Sequence, residues 1–221
     1  MTTHSITIKD ALGNEITLVA AAVTLDTNGD VVLYGAMSIP IDATGTPLFS
    51  AANPGTTGEL CAVVGASFAR PANTTAYASG ELVANSTSVP APMAIPLARI
   101  NGGFGKVARG RLTKSGLVTT NATFRAHFYK TAPTIVGGDG GAYSTNGALT
   151  HIGSMTFDMT GGNAFVFTDG VKVISVPDVG SSIIFDTAGG SQNIYALLEA
   201  RAAYVPASGE TFTLALEAIQ S

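Results

Sequence analysis

Thr123-Phe124-Arg125-Ala126-His127-Phe128-Tyr129 alternates cleanly between two kinds of side chain. Successive strand residues point to opposite faces, so Phe124, Ala126 and Phe128 share one face while Arg125, His127 and Tyr129 share the other. The period of two predicts a half-buried β-strand. Thr211-Phe212-Thr213-Leu214-Ala215-Leu216 repeats the pattern near the end of the chain.

Outward from these stretches, strand signals dominate. Leu60 to Val64, Ile95 to Ile100, Lys106 to Thr113, Ile152 to Met159, Ala164 to Thr168, Val171 to Val176 and Ser182 to Phe185 all read as strands. Asp169-Gly170 is a favoured hairpin turn between two of them. Asn193 to Ala203 is rich enough in alanine for a helix, but among so many strands it reads as a long strand. Gly102 to Gly105 reads as a bulge or tight loop, Gly137 to Gly141 as a flexible loop, and Gly153-Ser154 and Gly180-Ser181 as turns. Many short strands with Gly/Pro turns and no helical period define an all-β chain, and a jelly-roll-like β-sandwich fits residues 59–221.

The first 58 residues form a small N-terminal β element. Ser5 to Lys9 and Glu15 to Val19 make a hairpin, and Thr27-Asn28-Gly29-Asp30 turns into a strand at Val31 to Tyr34. Pro40, Pro47, Pro54, Gly45, Gly55 and Gly58 then cluster in one stretch, which marks a linker between this element and the sandwich.

Charged residues are 12% of the 221 and mean hydropathy is +0.34. Disorder is excluded, since it needs low hydropathy and high net charge. No apolar run approaches the length of a membrane span. So charge-poor a chain points to burial of its surface against other subunits, or to a large core beneath a Ser/Thr/Asn surface. The lone Cys61 rules out an internal disulfide. Its apolar neighbours Ala62 to Val64 make it read as a buried small hydrophobe. The N-terminus shows no basic and apolar leader pattern.

The net charge of −4 hides a division. Residues 1–69 set Lys9 against Asp10, Glu15, Asp26, Asp30, Asp42 and Glu59. Residues 70–130 set eight basic residues against Glu81 alone, and residues 131–221 set Lys172 and Arg201 against eight acids. The basic block lacks the aromatic interleaving and the motifs of nucleic-acid binding. It serves either a complementary protein surface or neutralisation between neighbouring strands. On the first reading the contact residues are Arg99, Lys106, Arg109, Arg111 and Lys114, with Asp10, Asp26 and Asp30 on the acidic side.

Signals for chemistry are weak. His4, His127 and His151 show no metal-ligand spacing, and no nucleophile-elbow motif is present. Asp139, Asp158 and Asp169 sit at Gly-rich turns, where aspartate is common for turn reasons. The expectation is a non-enzymatic chain without metal or cofactor.

Two segments carry a resemblance. One runs from Ser67-Phe68-Ala69-Arg70-Pro71-Ala72-Asn73-Thr74-Thr75-Ala76-Tyr77 through Gly80 to Ser86. The other runs from Ile194-Tyr195 through Tyr204-Val205-Pro206-Ala207-Ser208-Gly209-Glu210-Thr211-Phe212-Thr213. Pro71 and Gly80 bracket an extended stretch in which Tyr77 can pack while its hydroxyl pairs. Pro206 and Gly209 bound a turn into the last strand. Together they resemble a group of tailed-bacteriophage structural proteins, over roughly residues 60–221. The resemblance implies a virion component assembled in the host cytoplasm, most plainly a capsid decoration protein. Its partner would be the major capsid protein and its assembly a homotrimer, with neither nucleic acid nor membrane as partner. The alternative is a tail or baseplate adhesin that binds a host surface glycan.

Overall fold

The computed structural model describes residues 4–9, 15–20, 60–175 and 183–220. Asp10, Asp26, Asp30, the strand expected at 31–34 and the Gly180-Ser181 turn lie outside them. The chain divides into two compact units, Met1–Gly55 and Thr56–Ser221. In the first, β1 (His4–Lys9) pairs antiparallel with β2 (Glu15–Ala20), with His4 opposite Ala20 and Lys9 opposite Glu15.

The second unit is two antiparallel sheets packed face to face. Its strands are β3 (Leu60–Ala69), β4 (Glu81–Val83), β5 (Met93–Pro96), β6 (Phe104–Lys114), β7 (Thr123–Tyr129), β8 (His151–Asp158), β9 (Phe165–Phe167), β10 (Gly170–Ser175), β11 (Ile183–Asp186), β12 (Asn193–Ala200) and β13 (Thr211–Gln220). The first sheet runs β3-β13-β6-β10-β9, with β11 also on β6. The second runs β4-β12-β7-β8, with β5 also on β12. Two positions are filled by broken strands: β10 and β11 share the length of β6, and β4 and β5 share that of β12. Counting each broken pair once, and setting aside β9 as an extra edge strand, leaves two four-stranded sheets in a jelly-roll-like order.

Alternation decides which residues enter the core. In β13 every second residue from Phe212 to Gln220 is buried, and β7 buries Phe124, Ala126 and Phe128. Phe124 meets Tyr204 and Phe212 edge to face, each with centroids 5.1 Å apart, a favoured aromatic geometry. Gly110 lets the sheets approach: a Cβ there would lie 2.3 Å from Met155 Sδ. One bulge matters for the surface. The β13–β6 register shifts so that Glu217 faces Arg109 while Ala218 faces Val107. The extra residue, Ala108, keeps both Lys106 and Arg109 on the outer face.

Several local expectations change. Gly153-Ser154 lies inside β8, not in a turn, because β8 extends to His151 beside a bulge at Phe128/Tyr129. The strand expected at 95–100 is β5, Met93–Pro96, which ends at its proline. Cys61 is exposed rather than buried. An unbroken apolar run carries no alternation, so pairing with β13 sets its facing, and Cys61 and Val63 fall on the outer side.

Candidate functional site

The two segments that carry the resemblance meet in space. Arg70 N donates to Glu210 O at 2.9 Å and Tyr77 N to Tyr204 O at 2.8 Å. Phe68 stacks on Phe212 and Tyr77 on Tyr204, with centroids 5.7 and 6.5 Å apart. Around these contacts lies a buried polar network in two halves. Arg70 Nη2 reaches Asp139 Oδ2 at 2.9 Å, with the side chains only 1% and 2% exposed. Arg70 Nε donates to the Tyr77 hydroxyl, and that hydroxyl donates to Asp139 Oδ1 at 2.5 Å. Ala84 N adds a bond to the same oxygen at 2.9 Å. In the other half Lys114 Nζ lies 3.2 Å from Glu210 Oε1, both side chains fully buried. The ammonium also donates to Gly116 O at 2.6 Å, and the Tyr204 hydroxyl donates to Glu210 Oε1 and Oε2 at 2.7 and 2.8 Å.

Burial pushes the Tyr77 and Tyr204 phenols far up and the Lys114 ammonium down. Closed to water and hydrogen-bonded throughout, the network fixes shape: it ties the end of β3, the turn 204–210 and the chain around Asp139 together. Asp139 is therefore a structural anchor. Asp158 is a turn residue, held below the usual carboxylate range by bonds from the Thr160 hydroxyl and amide, with Thr123 and Asn163 adding to them.

The basic block meets the acidic segment that follows it. Arg109 Nη2 binds Glu217 Oε2 at 2.5 Å, and Arg111 Nε lies 3.9 Å from Glu217 Oε1. Lys130 pairs with Asp186. With Arg70–Asp139 and Lys114–Glu210, five of the eight basic residues between 70 and 130 pair with acids from beyond residue 130. Much of the charge division is thus cancelled within the fold. Lys114 is a correction: its side chain points into the core and offers nothing to a partner. Lys106, Arg109 and Arg111 do lie together on the outer face of the first sheet, and Arg99 sits half-buried in the turn before β6. Arg109 and Arg111 are 45% and 43% exposed. Exposed Val63, Phe104 and Ile184 share that face, and Phe165, Val166 and Phe167 lie exposed on the β9 edge.

A second cluster lies on the outer face of the other sheet, where sequence reasoning placed Arg125, His127 and Tyr129. The connection from β7 to β8, residues 130–150, reaches past β12 to the edge of β4. There Gly140 N donates to Leu82 O at 2.9 Å, Leu82 N to Gly141 O at 2.8 Å and Tyr143 N to Gly80 O at 2.8 Å. The Gly-rich run 137–141 is therefore a paired strap rather than a flexible loop. Gly138 packs so closely that a Cβ would lie 1.9 Å from Thr87 O. The strap roofs a small apolar cluster of Leu82, Ala84, Tyr129 and Leu197, with Ile135, Tyr143 and Tyr195 packed against it.

Beneath the strap, His127 Nε2 sits 2.8 Å from Glu199 Oε2, and Arg201 Nη1 donates to Glu199 Oε1 at 2.7 Å. Burial would raise the Glu199 carboxyl, but the bonds from His127 and Arg201 outweigh it and hold it low. The Tyr143 ring lies 4.5 Å from that of His127, the His151 ring lies 5.7 Å from it, and the Tyr129 and Tyr143 hydroxyls are 2.5 Å apart. Ser154 is the register partner of His127, yet no hydrogen bond joins them among the described residues. The group does not form a nucleophile–base pair. A small apolar cavity between Phe68, Val83, Met93 and Leu198 holds about 10 Å³, room for one water at most.

No family model matches this chain, and no curated protein does either.

Proposed function

We propose that the chain is a non-enzymatic structural protein of a tailed-phage virion, a decoration protein that binds the assembled head and stabilises it. The observation that carries this reading is the outer face of the first sheet. There Val63, Phe104 and Ile184 lie exposed beside the partly paired Arg109 and Arg111, an apolar patch with a charged centre. Exposed apolar patches of this kind mark contact surfaces. The resemblance of the two joined segments supports the same reading and extends it to a homotrimer docked on the major capsid protein. A ligand that binds only the assembled shell stabilises it by mass action.

Cryo-electron microscopy of virions that contain the chain tests this. Regular density across the icosahedral shell is the expected result. Density confined to the tail overturns the decoration reading and favours an adhesin.

Residue-level support comes from Arg109→Glu/Arg111→Glu. Exposed ion pairs contribute about 0.2–1 kcal/mol each, and the new glutamates repel Glu217 by a similar amount, so the free protein should lose about 1–3 kcal/mol and remain folded. Co-sedimentation with heads stripped of the protein should fall at least tenfold. Undiminished binding removes this face from the contact.

A further inference from the structure

We propose that the free edge of β3 is a self-association surface: two copies of the chain join their β3 strands antiparallel about a two-fold axis at Gly65, which makes one continuous sheet across both. β3 is ten residues long and ends the first sheet. One side of it is fully used, since β13 pairs with every residue from Leu60 to Ala69 without a shift in register. On the other side no hydrogen bond reaches Leu60 to Ala69 among the described residues. β5 runs close to that flank but bonds to β12 instead.

A bare edge of this length is a template for another strand, and folds blunt such edges with charge, proline, a bulge, shortness or a cover. β3 has none of these. Leu60-Cys61-Ala62-Val63-Val64-Gly65-Ala66-Ser67-Phe68-Ala69 holds no charged residue and no proline, and its ladder with β13 is regular. The same molecule does cover the β4 edge of the second sheet, where the strap bonds to Gly80 and Leu82. The inner side of the β3 edge is unfinished as well. Ala62, Val64, Ala66 and Phe68 face the core yet are only half-buried, while their direct partners Ala218, Leu216, Leu214 and Phe212 are buried.

The occupant that fits is β3 of a second copy. A two-fold axis sets a strand against its own reverse, so charges on it would meet charges of their own sign, and β3 carries none to meet. With the axis at Gly65, Ala62 lies opposite the partner's Phe68 and Val64 opposite the partner's Ala66, small against large in both pairs. On the outer side Cys61 meets the partner's Ala69, and Val63 meets the partner's Ser67. The axis stands perpendicular to the sheet, so both outer faces, each with Val63, Phe104 and Ile184 exposed, turn the same way. The pairing stands whatever that face binds.

Sedimentation equilibrium of the intact free chain between about 1 and 200 μM reads the association. Each two-fold axis uses two edges, so the mass should double: from one chain to two, or from three to six where a different face already holds a trimer. Over the same range hydrogen exchange of β3 amides should slow about tenfold or more, with the central strand β12 as internal control. Cross-linking under mild oxidation reads the register. Cys61→Ser/Val63→Cys/Ser67→Cys should give disulfide-linked dimers, because directly opposed strand residues hold their Cα atoms about 4.5–5.5 Å apart, within disulfide reach. Within one chain the two positions lie about 13 Å apart along the strand and cannot join. Cys61→Ser/Val63→Cys should cross-link far more slowly.

Three results overturn the proposal. A mass fixed at one chain or at three leaves the edge to a strand of another protein. Doubling without slower exchange in β3 puts the contact elsewhere. Cross-linking of Cys61→Ser/Val63→Cys as fast as that of the paired variant removes the axis from Gly65. Mass and exchange are read on the unaltered chain, so they decide even if a variant does not fold. Both are read without virions, so failure here is distinct from failure to bind the head.

Discussion

Glu210→Ala should lose about 3–5 kcal/mol of unfolding free energy, measured by urea denaturation with an unchanged slope. Glu210 is the only carboxylate that Lys114 reaches among the described residues, and both side chains are wholly buried. Without it the ammonium keeps one bond, to Gly116 O, and the Tyr204 hydroxyl loses the acceptor it uses twice. An unpaired charge in the interior costs far more than a buried pair contributes, because the desolvation is no longer offset.

That cause has two signatures. Lys114→Met/Glu210→Gln removes both charges and leaves Tyr204 an acceptor, so it should recover most of the loss despite carrying one more change. The deficit of Glu210→Ala should also shrink as the pH rises towards the ordinary lysine value of 10.5. Burial lowers Lys114 in the folded state, so the unfolded chain holds the proton longer and folding gains as it is released. A double variant as unstable as the single one, or a deficit indifferent to pH, would show that something other than the stranded charge is responsible.

Where one face is apolar and the other polar, the fold was legible. Thr123–Tyr129 and Thr211–Leu216 announce their facing through alternation, and both strands stand where that pattern puts them. Lys114 was legible too, had parity been followed. It is two residues from Leu112 and four from Gly110, all on the core side, while Arg109, Arg111 and Thr113 alternate outward. Grouping it with the other basic residues by sign overrode the stronger signal of position.

Cys61 offered no such signal. The cancellation of charge was invisible for a different reason. β6 lies between β13 and β10, so its salt partners come from residues a hundred positions away. Strand order in a Greek key is fixed by packing, not by local composition. The same holds for Asp139, which sits among glycines that suit a loose loop and meets Arg70 from 69 positions away.

Asp139→Ala is the second substitution with a large expected effect, and it separates a clasp from a mere contact. Asp139 accepts from Arg70, from the Tyr77 hydroxyl and from Ala84 N. Its removal leaves a guanidinium that is 1% exposed without a counter-charge among the described residues, and the expected loss is again about 3–5 kcal/mol. Asp139→Asn keeps acceptors for Tyr77 and Ala84 but not the charge, and should fall between the parent and the alanine variant. Strap amides should exchange fastest in both, because the anchored end of the strap has gone while β12 and β13 keep their ladders.

Arg70 also reaches Ala207 O in the turn that presents Glu210, and Tyr77 stacks on the tyrosine that Glu210 holds. The two halves of the network therefore share a scaffold. Their substitutions should not add: Asp139→Ala/Glu210→Ala should lose less than the sum of the single variants, by about 0.5–3 kcal/mol. Strict additivity in a double-mutant cycle would mean that the joined segments are two independent contacts, and would remove the argument that they act as one clamp on the end of the sandwich.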